Sequence, residues 1–351
     1  MITTHDELDQ PEGAPRRFQM VGIESSVIMH PRVWKTSGHY DLFHDEMVDC
    51  RETNKRYRYD HVKGRWVTHE GRRLFVTTVG ADDLQAALQE RALRFFGLKN
   101  KYADKLEWDG EIVDLPTVKD HTEVLGPDAK ELGSLTEPRE FNLMFETHVG
   151  AMRNDDNKAF LRPETAQGMF VNFKNVVDSN RVKVPFGIAQ QGKSFRNEIT
   201  PRNFTFRSRE FEQMEIEYFV KEEQWKEVFE KLRNDINTWH AHLGLSEENI
   251  REFEVPENDL AHYSKRTIDF EYNYPGKGFD ELAGFAYRTD HDLKNHMEHS
   301  GISMEYIEPD GSRFVPHVIE PSFGLGRALT AVLAEAYVED TVNDSVRTYL
   351  R

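Results

Sequence analysis

The regular spacing of apolar residues predicts two amphipathic helices. The first follows Asp82–Asp83 and ends before Gly97, which suits a helix C-terminal cap; its apolar positions are Leu84, Ala87, Leu88, Ala92 and Phe95. The second covers residues 221–244 and ends at Gly244; its apolar face comprises Trp225, Val228, Phe229, Leu232, Ile236, Trp239 and Leu243. Each helix therefore has one face that can pack on a core.

A strand with two different faces is predicted at residues 210–220. Alternation puts Met214, Ile216, Tyr218 and Val220 on one face, and Phe211, Gln213, Glu215, Glu217 and Phe219 on the other. A polar face of this kind is typical of a strand at the solvent surface of an antiparallel sheet. It also fits the wall of a binding site, and the residues immediately upstream favour that second interpretation.

An arginine-rich loop joins this strand to a preceding strand-like segment, residues 184–198. The two segments predict an antiparallel hairpin whose end carries Arg196, Arg202, Arg207 and Arg209. Guanidinium groups bind phosphate oxygens bidentately, and Phe211 offers a face on which a base can stack. Carboxylates beside these arginines suit a triphosphate that carries Mg²⁺. The hairpin therefore predicts a site for a nucleotide or another polyanion.

The other segments predict one main fold with an insertion. Residues 1–17 combine many acids with proline and glycine and are expected to form a flexible lead-in. The apolar run 18–29 is strand-like and ends at Pro31. Short strand-like pieces and a charged, loop-rich stretch then indicate an insertion at about 60–140 in a core that covers 18–351.

Composition argues against several classes of protein. Among 351 residues the single cysteine, Cys50, excludes an internal disulfide framework and a multi-cysteine zinc site, and it fits a cytoplasmic location. The first 25 residues are polar and acidic, unlike a secretory signal. No apolar run approaches the roughly 20 residues that a membrane span requires. We therefore expect a soluble protein with no membrane partner.

The net charge of −17 argues against general adhesion to nucleic acid. Residues 51–73 differ, because this segment contains eight basic residues and only three acidic ones (Lys/Arg at 51, 55, 56, 58, 63, 65, 72 and 73; acids at 52, 60 and 70). This basic stripe suits one phosphate backbone, although a solvated charged hairpin explains its composition equally well.

Several motifs resemble those of a known family. Phe195–Glu198 (FRNE) and Arg207–Phe211 (RSREF) resemble motif 2 of the class II aminoacyl-tRNA synthetases. The surrounding sequence is similar to that of glycyl-tRNA synthetases of the dimeric type. The matching stretches occur in the family's order and cover about two thirds of the chain: residues 22–39, 55–60, 135–145, 161–175, 185–219, 262–270, 281–293 and 319–327. The resemblance implies an α/β (α+β) fold, a mostly antiparallel sheet flanked by helices.

The resemblance also implies ATP and Mg²⁺ as cofactors and assigns the nucleotide site. Arg196 would bind the α-phosphate and the reacting carboxylate, Glu198 the adenine side, Arg207 the β- and γ-phosphates, and Phe211 and Arg327 the two faces of the base. Catalytic roles fall on Arg196, Glu198 and Arg327. The remaining ATP-binding residues would be Asn197, Phe206, Ser208, Arg209, Glu210, Glu281, Leu282 and Gly324, with Glu281 and Glu320 as the candidate Mg²⁺ ligands.

The implied substrate is glycine, which offers only an ammonium, a carboxylate and a small volume. By the resemblance, Glu164, Glu215, Glu320 and Ser322 surround the ammonium, and Arg58 and Arg288 lie in matching segments. The same site would include Phe211, Glu212, Gln213, Met214, Pro321, Phe323 and Gly324. Without the resemblance, Glu164 after Pro163 is an acid of a first helical turn, favoured by the helix dipole.

The chain departs from the family at its ends. By the resemblance, we expect this chain to lack the family's N-terminal segment, with the first helix of motif 1, and its anticodon-binding domain. One alternative is therefore a paralogue or fragment that activates glycine, or another small amino acid, for an acceptor other than tRNA(Gly). A second is a binding or regulatory protein that keeps the ATP fold, although a scaffold needs none of the motif 2 arginines. A homodimer is the expected assembly.

Overall fold

A computed structural model describes residues 20–81, 83–199, 201, 203–343 and 345–351. The predicted lead-in at 1–17 and Arg202 lie outside these residues. Within them, no helix is both long enough and apolar enough to cross a membrane.

The helices and strands of the described residues are numbered in chain order. The helices are α1 (Pro31–Thr36), α2 (His39–Leu42), α3 (Leu84–Phe95), α4 (Ala166–Asn180), α5 (Trp225–His242), α6 (His291–Ser300) and α7 (Leu325–Ala336). The strands are β1 (Met20–Gly22), β2 (Ile28–Met29), β3 (His44–Asp49), β4 (Arg56–Arg58), β5 (Lys63–His69), β6 (Arg72–Thr78), β7 (Glu107–Asp114), β8 (Val124–Leu125), β9 (Arg139–Asn142), β10 (Glu146–His148), β11 (Lys158–Leu161), β12 (Phe186–Phe195), β13 (Glu210–Val220), β14 (Ile250–Glu254), β15 (Arg266–Tyr274), β16 (Gly278–Thr289), β17 (Tyr306–Ile307), β18 (Arg313–Phe314), β19 (His317–Gly324), β20 (Tyr337–Val342) and β21 (Ser345–Leu350).

The chain divides into two compact units, and the larger one contains a seven-stranded sheet. This unit comprises the described residues within 20–42 and 144–351. Its sheet has the order β1-β12-β13-β19-β16-β15-β14, and every neighbouring pair is antiparallel except β1 with β12. The predicted hairpin is confirmed, because β12 and β13 pair along their length from Phe186–Phe219 to Phe195–Glu210. The predicted mostly antiparallel sheet with flanking helices is also confirmed.

Helix α4 covers one face of this sheet. Its apolar residues Phe170 and Phe173 pack with Phe186 and Phe219, all four fully buried. Phe219 belongs to the face of β13 that was predicted to carry Gln213, Glu215 and Glu217. That face therefore begins in an apolar core beneath α4 and becomes polar toward the loop end of the hairpin.

The opposite face of the sheet packs on α5 and α7. Tyr218 and Val220 of β13 lie in one cluster with Phe229, Leu232 and Ile236 of α5, and Ala331 of α7 packs in a neighbouring cluster. The amphipathic helix predicted at 221–244 is thus confirmed, with bounds Trp225–His242 and Gly244 in a left-handed conformation (φ 78°).

The second unit, Phe43–Leu143, has its own core and includes the predicted insertion at about 60–140. It contains a four-stranded sheet, β7-β5-β6-β8, and a three-stranded sheet, β4-β3-β9. Helix α3 confirms the helix predicted after Asp82–Asp83; Asp83 accepts a hydrogen bond from the Ala86 amide as its N-cap, and Gly97 follows with φ 67°.

The basic stripe at 51–73 is largely neutralised within this unit. Five of its basic side chains form ion pairs with aspartates: Lys55 with Asp128, Arg56 with Asp49, Arg58 with Asp60, Lys63 with Asp114, and Arg73 with Asp109. Arg72 lies over the Phe95 ring. These pairings favour the interpretation of the stripe as a charged structural surface over that of a dedicated phosphate-binding surface.

Candidate active site

The polar face of β13 lines a cavity of about 410 Å³ in the larger unit. Neighbouring strands β15, β16 and β19, the loop between β12 and β13, and the start of α7 complete its wall. A cavity of this size suits a small-molecule ligand. Gln213 and Glu215 are buried there, so the interpretation of β13 as a solvent-facing strand is wrong.

Glu215 belongs to β13, and its carboxylate lies at the N-terminus of α4. Its Oε2 accepts a hydrogen bond from the Thr165 amide at 3.0 Å and another from the Thr165 hydroxyl. Its Oε1 accepts hydrogen bonds from Gln213 and from the Ser322 hydroxyl, each at 2.9 Å. The carboxylate is thereby held in one orientation by groups from three elements, and the helix dipole favours its negative charge.

Glu164 precedes α4 and forms a second buried carboxylate. Its Oε2 lies 3.1 Å from His39 Nε2, and its Oε1 accepts a hydrogen bond from Gln167 at 3.3 Å. Although burial opposes ionisation, the proximity of His39 and Arg288 lowers the pKa of Glu164. Glu164 in turn adds to burial in raising the pKa of Glu215. This effect of Glu164 on Glu215 requires the two carboxylates to be close neighbours.

Glu320 completes the group and is held by a buried arginine. Arg288 donates from Nη1 to Glu320 Oε2 at 2.6 Å and, from Nε and Nη2, binds both oxygens of Asp292 at 2.8 and 3.0 Å. The rings of Phe170 and Tyr263 lie against its guanidinium at 5.2 and 3.8 Å. Arg288 is 1% exposed and therefore acts beneath the cavity, on Glu320, without lining the cavity itself.

The loop end of the hairpin brings the motif 2 side chains to the same cavity. The Arg196 guanidinium lies 5.3 Å from the centre of the Phe211 ring and donates to the Pro163 carbonyl at 3.2 Å. Arg207 Nη1 lies 3.8 Å from Glu198 Oε2. These distances leave both guanidinium groups in contact with a carboxylate or carbonyl that a phosphate can replace.

Arg327, in the first turn of α7, closes this end of the cavity. Its Nη1 lies 2.9 Å from Glu281 Oε2, and its guanidinium lies 4.3 Å from the Phe206 ring centre. Partial burial opposes ionisation of Glu281, but the adjacent Arg327 lowers its pKa. With the amide groups at the N-terminus of α7, this region has the positive potential that an anionic ligand requires.

A β-bulge directs Glu281 into the cavity. The register between β15 and β16 shifts between Phe270 and Glu271. Phe270 pairs with Ala283 and Glu271 pairs with Glu281, so Leu282 has no partner residue on β15. Leu282 consequently packs in the apolar cluster beside α7, whereas Glu281 lies on the same face as Gly284. Without the bulge, strict alternation along β16 would place the Glu281 side chain on the other face of the sheet, away from the cavity.

The same register separates the two candidate Mg²⁺ ligands. Glu320 pairs with Ala286, five residues along β16 from Glu281. At about 3.3 Å per residue the two Cα atoms are roughly 17 Å apart. Direct binding of one Mg²⁺, with ligand distances of about 2.1 Å, by both carboxylates is disfavoured at that separation. Both residues stay predicted Mg²⁺ ligands, although Arg288 already binds one oxygen of Glu320.

Most of the predicted site residues line the cavity. They are Glu164, Arg196, Glu198, Phe206, Arg207, Ser208, Phe211, Glu212, Gln213, Glu215, Glu281, Leu282, Glu320, Ser322, Gly324 and Arg327. The cavity wall does not include Asn197, Arg209, Glu210, Met214, Arg288, Pro321 and Phe323. Met214 and Phe323 belong instead to the cluster on the other face of the sheet, as alternation requires. Arg58 lies in the second unit, where it binds Asp60.

The structure adds cavity residues that the sequence did not indicate. Thr267 and Asp269 of β15 and Gly284 of β16 line its wall beside Glu281. Thr205 lies in the hairpin loop, and its hydroxyl is 2.9 Å from that of Thr330, which ties the loop to α7. The period-2 pattern of β15 could have indicated Thr267 and Asp269, but only after the partner strand was known.

Comparison with known proteins defines the class. Residues 145–336 match the family model described as the tRNA synthetase class II core domain (G, H, P, S and T). This range contains the whole hairpin, α4 and β19. The fold and the motif 2 side chains in one cavity are therefore those of a class II synthetase core, whose members use ATP and Mg²⁺.

More similar proteins narrow the family. The glycine–tRNA ligase of Rhodopirellula baltica is 50% identical over 98% of this chain and 69% of its own length. Those of Ureaplasma urealyticum and Bacillus thuringiensis are 45% and 43% identical, over 96% and 94% of this chain and 64% and 65% of their own lengths. The chain belongs to the glycine–tRNA ligase family of class II aminoacyl-tRNA synthetases.

The chain spans about two thirds of the length of these curated relatives. Among solved structures, prolyl-tRNA synthetase of Giardia lamblia in complex with prolyl-adenylate aligns with a TM-score of 0.46 and 16% identity, over 54% of this chain and 36% of its own.

Proposed function

We propose that this chain activates glycine with ATP, forming glycyl-adenylate and pyrophosphate. A glycine carboxylate oxygen attacks the α-phosphorus, and pyrophosphate leaves with the electrons of the broken P–O bond. The observation that carries this proposal is the composition of one cavity. Arg196, Arg207 and Arg327 line it together with the buried carboxylates of Glu164, Glu215 and Glu320. An anionic nucleotide and an ammonium group thus have complementary partners within reach of each other.

The arginines would act by charge neutralisation and positioning. Arg196, over Phe211, would bind the α-phosphate and the glycine carboxylate, and Arg207 the β- and γ-phosphates. Phe211 and Arg327 would hold the two faces of adenine, with Glu198 at its edge. Such fixed cations stabilise the charge that develops in the transition state and require no reorganisation when it forms. No acid–base residue is needed for this step.

The carboxylates would bind the substrate ammonium. Glu215 is fixed by Thr165 and Ser322, and Glu320 by Arg288, so neither has to reorganise when the ammonium enters. A larger amino acid would have to place its side chain against this packed wall. One added methyl group in such a wall costs on the order of 1–3 kcal/mol.

Mg²⁺ would be held by Glu281 and by the nucleotide phosphates. Glu281 fits this role because its carboxylate is half-exposed, lines the cavity and lies beside Arg327. When bound, Mg²⁺ would neutralise phosphate charge. Arg327 would then exchange its contact with Glu281 for contacts with the nucleotide.

Transfer of the glycyl group to tRNA(Gly) is the second part of the proposal and follows from the family. The transfer to tRNA is a separate prediction, since formation of glycyl-adenylate requires only the cavity described above. A homodimer of the dimeric synthetase type is proposed on the same basis, and light scattering measures it. A monomer that still activates glycine would separate assembly from the first reaction.

Exchange of labelled pyrophosphate into ATP tests the activation step. We expect exchange with glycine and at least tenfold less with alanine or serine, given the cost of one methyl group. Equal exchange with all three amino acids would contradict the glycine assignment. Exchange without acylation of tRNA(Gly) would favour a synthetase paralogue with another acceptor. ATP binding without exchange would favour a non-catalytic binding protein.

A further inference from the structure

One buried carboxyl group beneath the cavity has no role in the scheme above. Glu217 is fully buried, and neither of its carboxyl oxygens receives a hydrogen bond from a donor group in the described part of the chain. A buried ionised carboxylate without partners is strongly unfavourable. The groups around Glu217 should therefore show how the free-energy cost of burying its carboxyl group is avoided.

The sheet register places Glu217 beside Glu320. The pairs Glu215–Ser322 and Tyr218–Ile319 put Glu217 of β13 directly opposite Glu320 of β19. Directly opposed side chains on one face have Cβ atoms about 5 Å apart. On the next strands of the sheet, Ile188 pairs with Glu217 and Ala286 pairs with Glu320, and neither of these side chains carries a charge. Two carboxyl groups therefore face each other in a buried row.

The two carboxyl groups differ in their access to a cation. Arg288 donates to Glu320 Oε2 at 2.6 Å, whereas no donor among the residues that the structure describes contacts Glu217. Burial and the adjacent Glu320 raise the pKa of Glu217, against the weaker influence of Arg288. Burial also raises the pKa of Glu320, but there Arg288 opposes it most strongly. A single proton shared by this pair belongs on Glu217.

We infer that Glu217 is a protonated carboxylic acid that donates a hydrogen bond to Glu320 and thereby positions it for the substrate ammonium. With Arg288 on one oxygen and Glu217 bonded to the same carboxylate, Glu320 cannot rotate. Its remaining lone pairs then point in fixed directions. Glu217 is a positioning residue, because it does not line the cavity and acts only through Glu320. This inference rests on the proposed function for its link to glycine, although the hydrogen bond itself does not.

Two substitutions separate hydrogen bonding from simple packing. Glu217→Gln keeps the shape and can donate the same hydrogen bond, whereas Glu217→Met fills the space but cannot donate. We expect Glu217→Gln to keep KM for glycine in pyrophosphate exchange within about twofold of the native value. Glu217→Met should raise it about tenfold or more, with KM for ATP little changed, because one hydrogen bond that orients a charged group is lost. Tyr218→Phe, a buried change on the opposite face of β13, is the matched control.

Infrared spectroscopy tests the proton independently of activity. The native protein should show the C=O band of a buried carboxylic acid, and Glu217→Gln should lack it. No difference between the two spectra would overturn the inference, as would an equal rise of KM for glycine in both variants or an unchanged KM in Glu217→Met. If the native protein shows the band but no glycine-dependent exchange, the proposed function fails, the positioning role for glycine fails with it, and the hydrogen bond remains.

Discussion

Arg327 and Glu281, 46 residues apart in the chain, form an ion pair of 2.9 Å at the nucleotide end of the cavity. The pair joins the first turn of α7 to the bulged strand β16. Both residues were predicted to contact ATP, and in the structure each is the partner of the other. The proposed binding of ATP and Mg²⁺ would replace this contact, which holds the two side chains close to their proposed working positions.

Substitution of Glu281 tests its role toward the cation. Glu281→Gln removes the charge but keeps the shape, so we expect a rise in the Mg²⁺ concentration needed for half-maximal exchange, on the order of 10–100-fold. Titration of Mg²⁺ at saturating ATP measures this. Glu254→Gln, on β14 and paired with Arg266, is the control. An unchanged Mg²⁺ requirement would exclude Glu281 as a ligand.

Gly284 offers a test of ligand approach that leaves the fold intact. Within the described ranges of the chain, a Cβ added there would meet only Glu281 Oε1, at 3.9 Å, so Gly284→Ala should fold with nearly native stability. The methyl group would nevertheless project into the cavity and weaken ATP binding about tenfold. Calorimetric titration with ATP measures this change, and thermal unfolding measures stability. Gly192→Ala provides the contrast, because its Cβ would clash with the buried Arg162 guanidinium and lower Tm.

Arg288 is expected to stabilise the protein as well as its site. Arg288→Met leaves Glu320 and Asp292 buried without the guanidinium that neutralises their charge, which should lower the free energy of unfolding by about 3–5 kcal/mol and raise KM for glycine. Urea denaturation and pyrophosphate exchange measure the two effects. Arg313→Met, which removes an exposed contact with Glu305, should cost at most about 1 kcal/mol. Equal losses in the two variants would contradict this account.

His240 should make stability depend on pH. It is 1% exposed, neither ring nitrogen has a partner in the described part of the chain, and burial lowers its pKa to about 4. Because the unfolded state binds the proton more tightly between about pH 6.5 and 4, stability falls as pH falls through this range.

His240→Leu removes this proton uptake. From pH 7.5 to pH 5 the variant should lose roughly 1–2 kcal/mol less stability than the native protein does. Urea denaturation at the two pH values measures the difference. His242→Gln, an exposed change on the same helix, should behave like the native protein. A variant as acid-sensitive as the native protein would show that His240 is not the group responsible.

Local patterns were sufficient to predict several elements. Apolar spacing indicated α3 and α5, and alternation indicated the two faces of β13, because these properties depend on neighbours in sequence. The cluster of Arg196, Arg207 and Phe211 followed from their position at the end of one hairpin. The family's motifs extended this to Arg327 and Glu164, which come from distant parts of the chain.

Features that depend on cross-strand register were beyond the sequence. The bulge that turns Glu281 into the cavity and separates it from Glu320 exists only in the pairing of β15 with β16. The row of Glu217 and Glu320 likewise requires the pairing of β13 with β19. The ion pairs of the basic stripe depend on register in the same way, since Arg73 pairs with Asp109 on another strand.

The most direct test of the central claim is isolation of the enzyme-bound product. The protein would be incubated with ATP, Mg²⁺, labelled glycine and pyrophosphatase, and the bound adenylate separated and identified by mass spectrometry. We predict glycyl-adenylate at close to one equivalent per active site, little or no alanyl-adenylate when alanine replaces glycine, and strong loss of product in Arg196→Ala. ATP bound without any adenylate, or equal amounts of the glycyl and alanyl products, would contradict the proposed function.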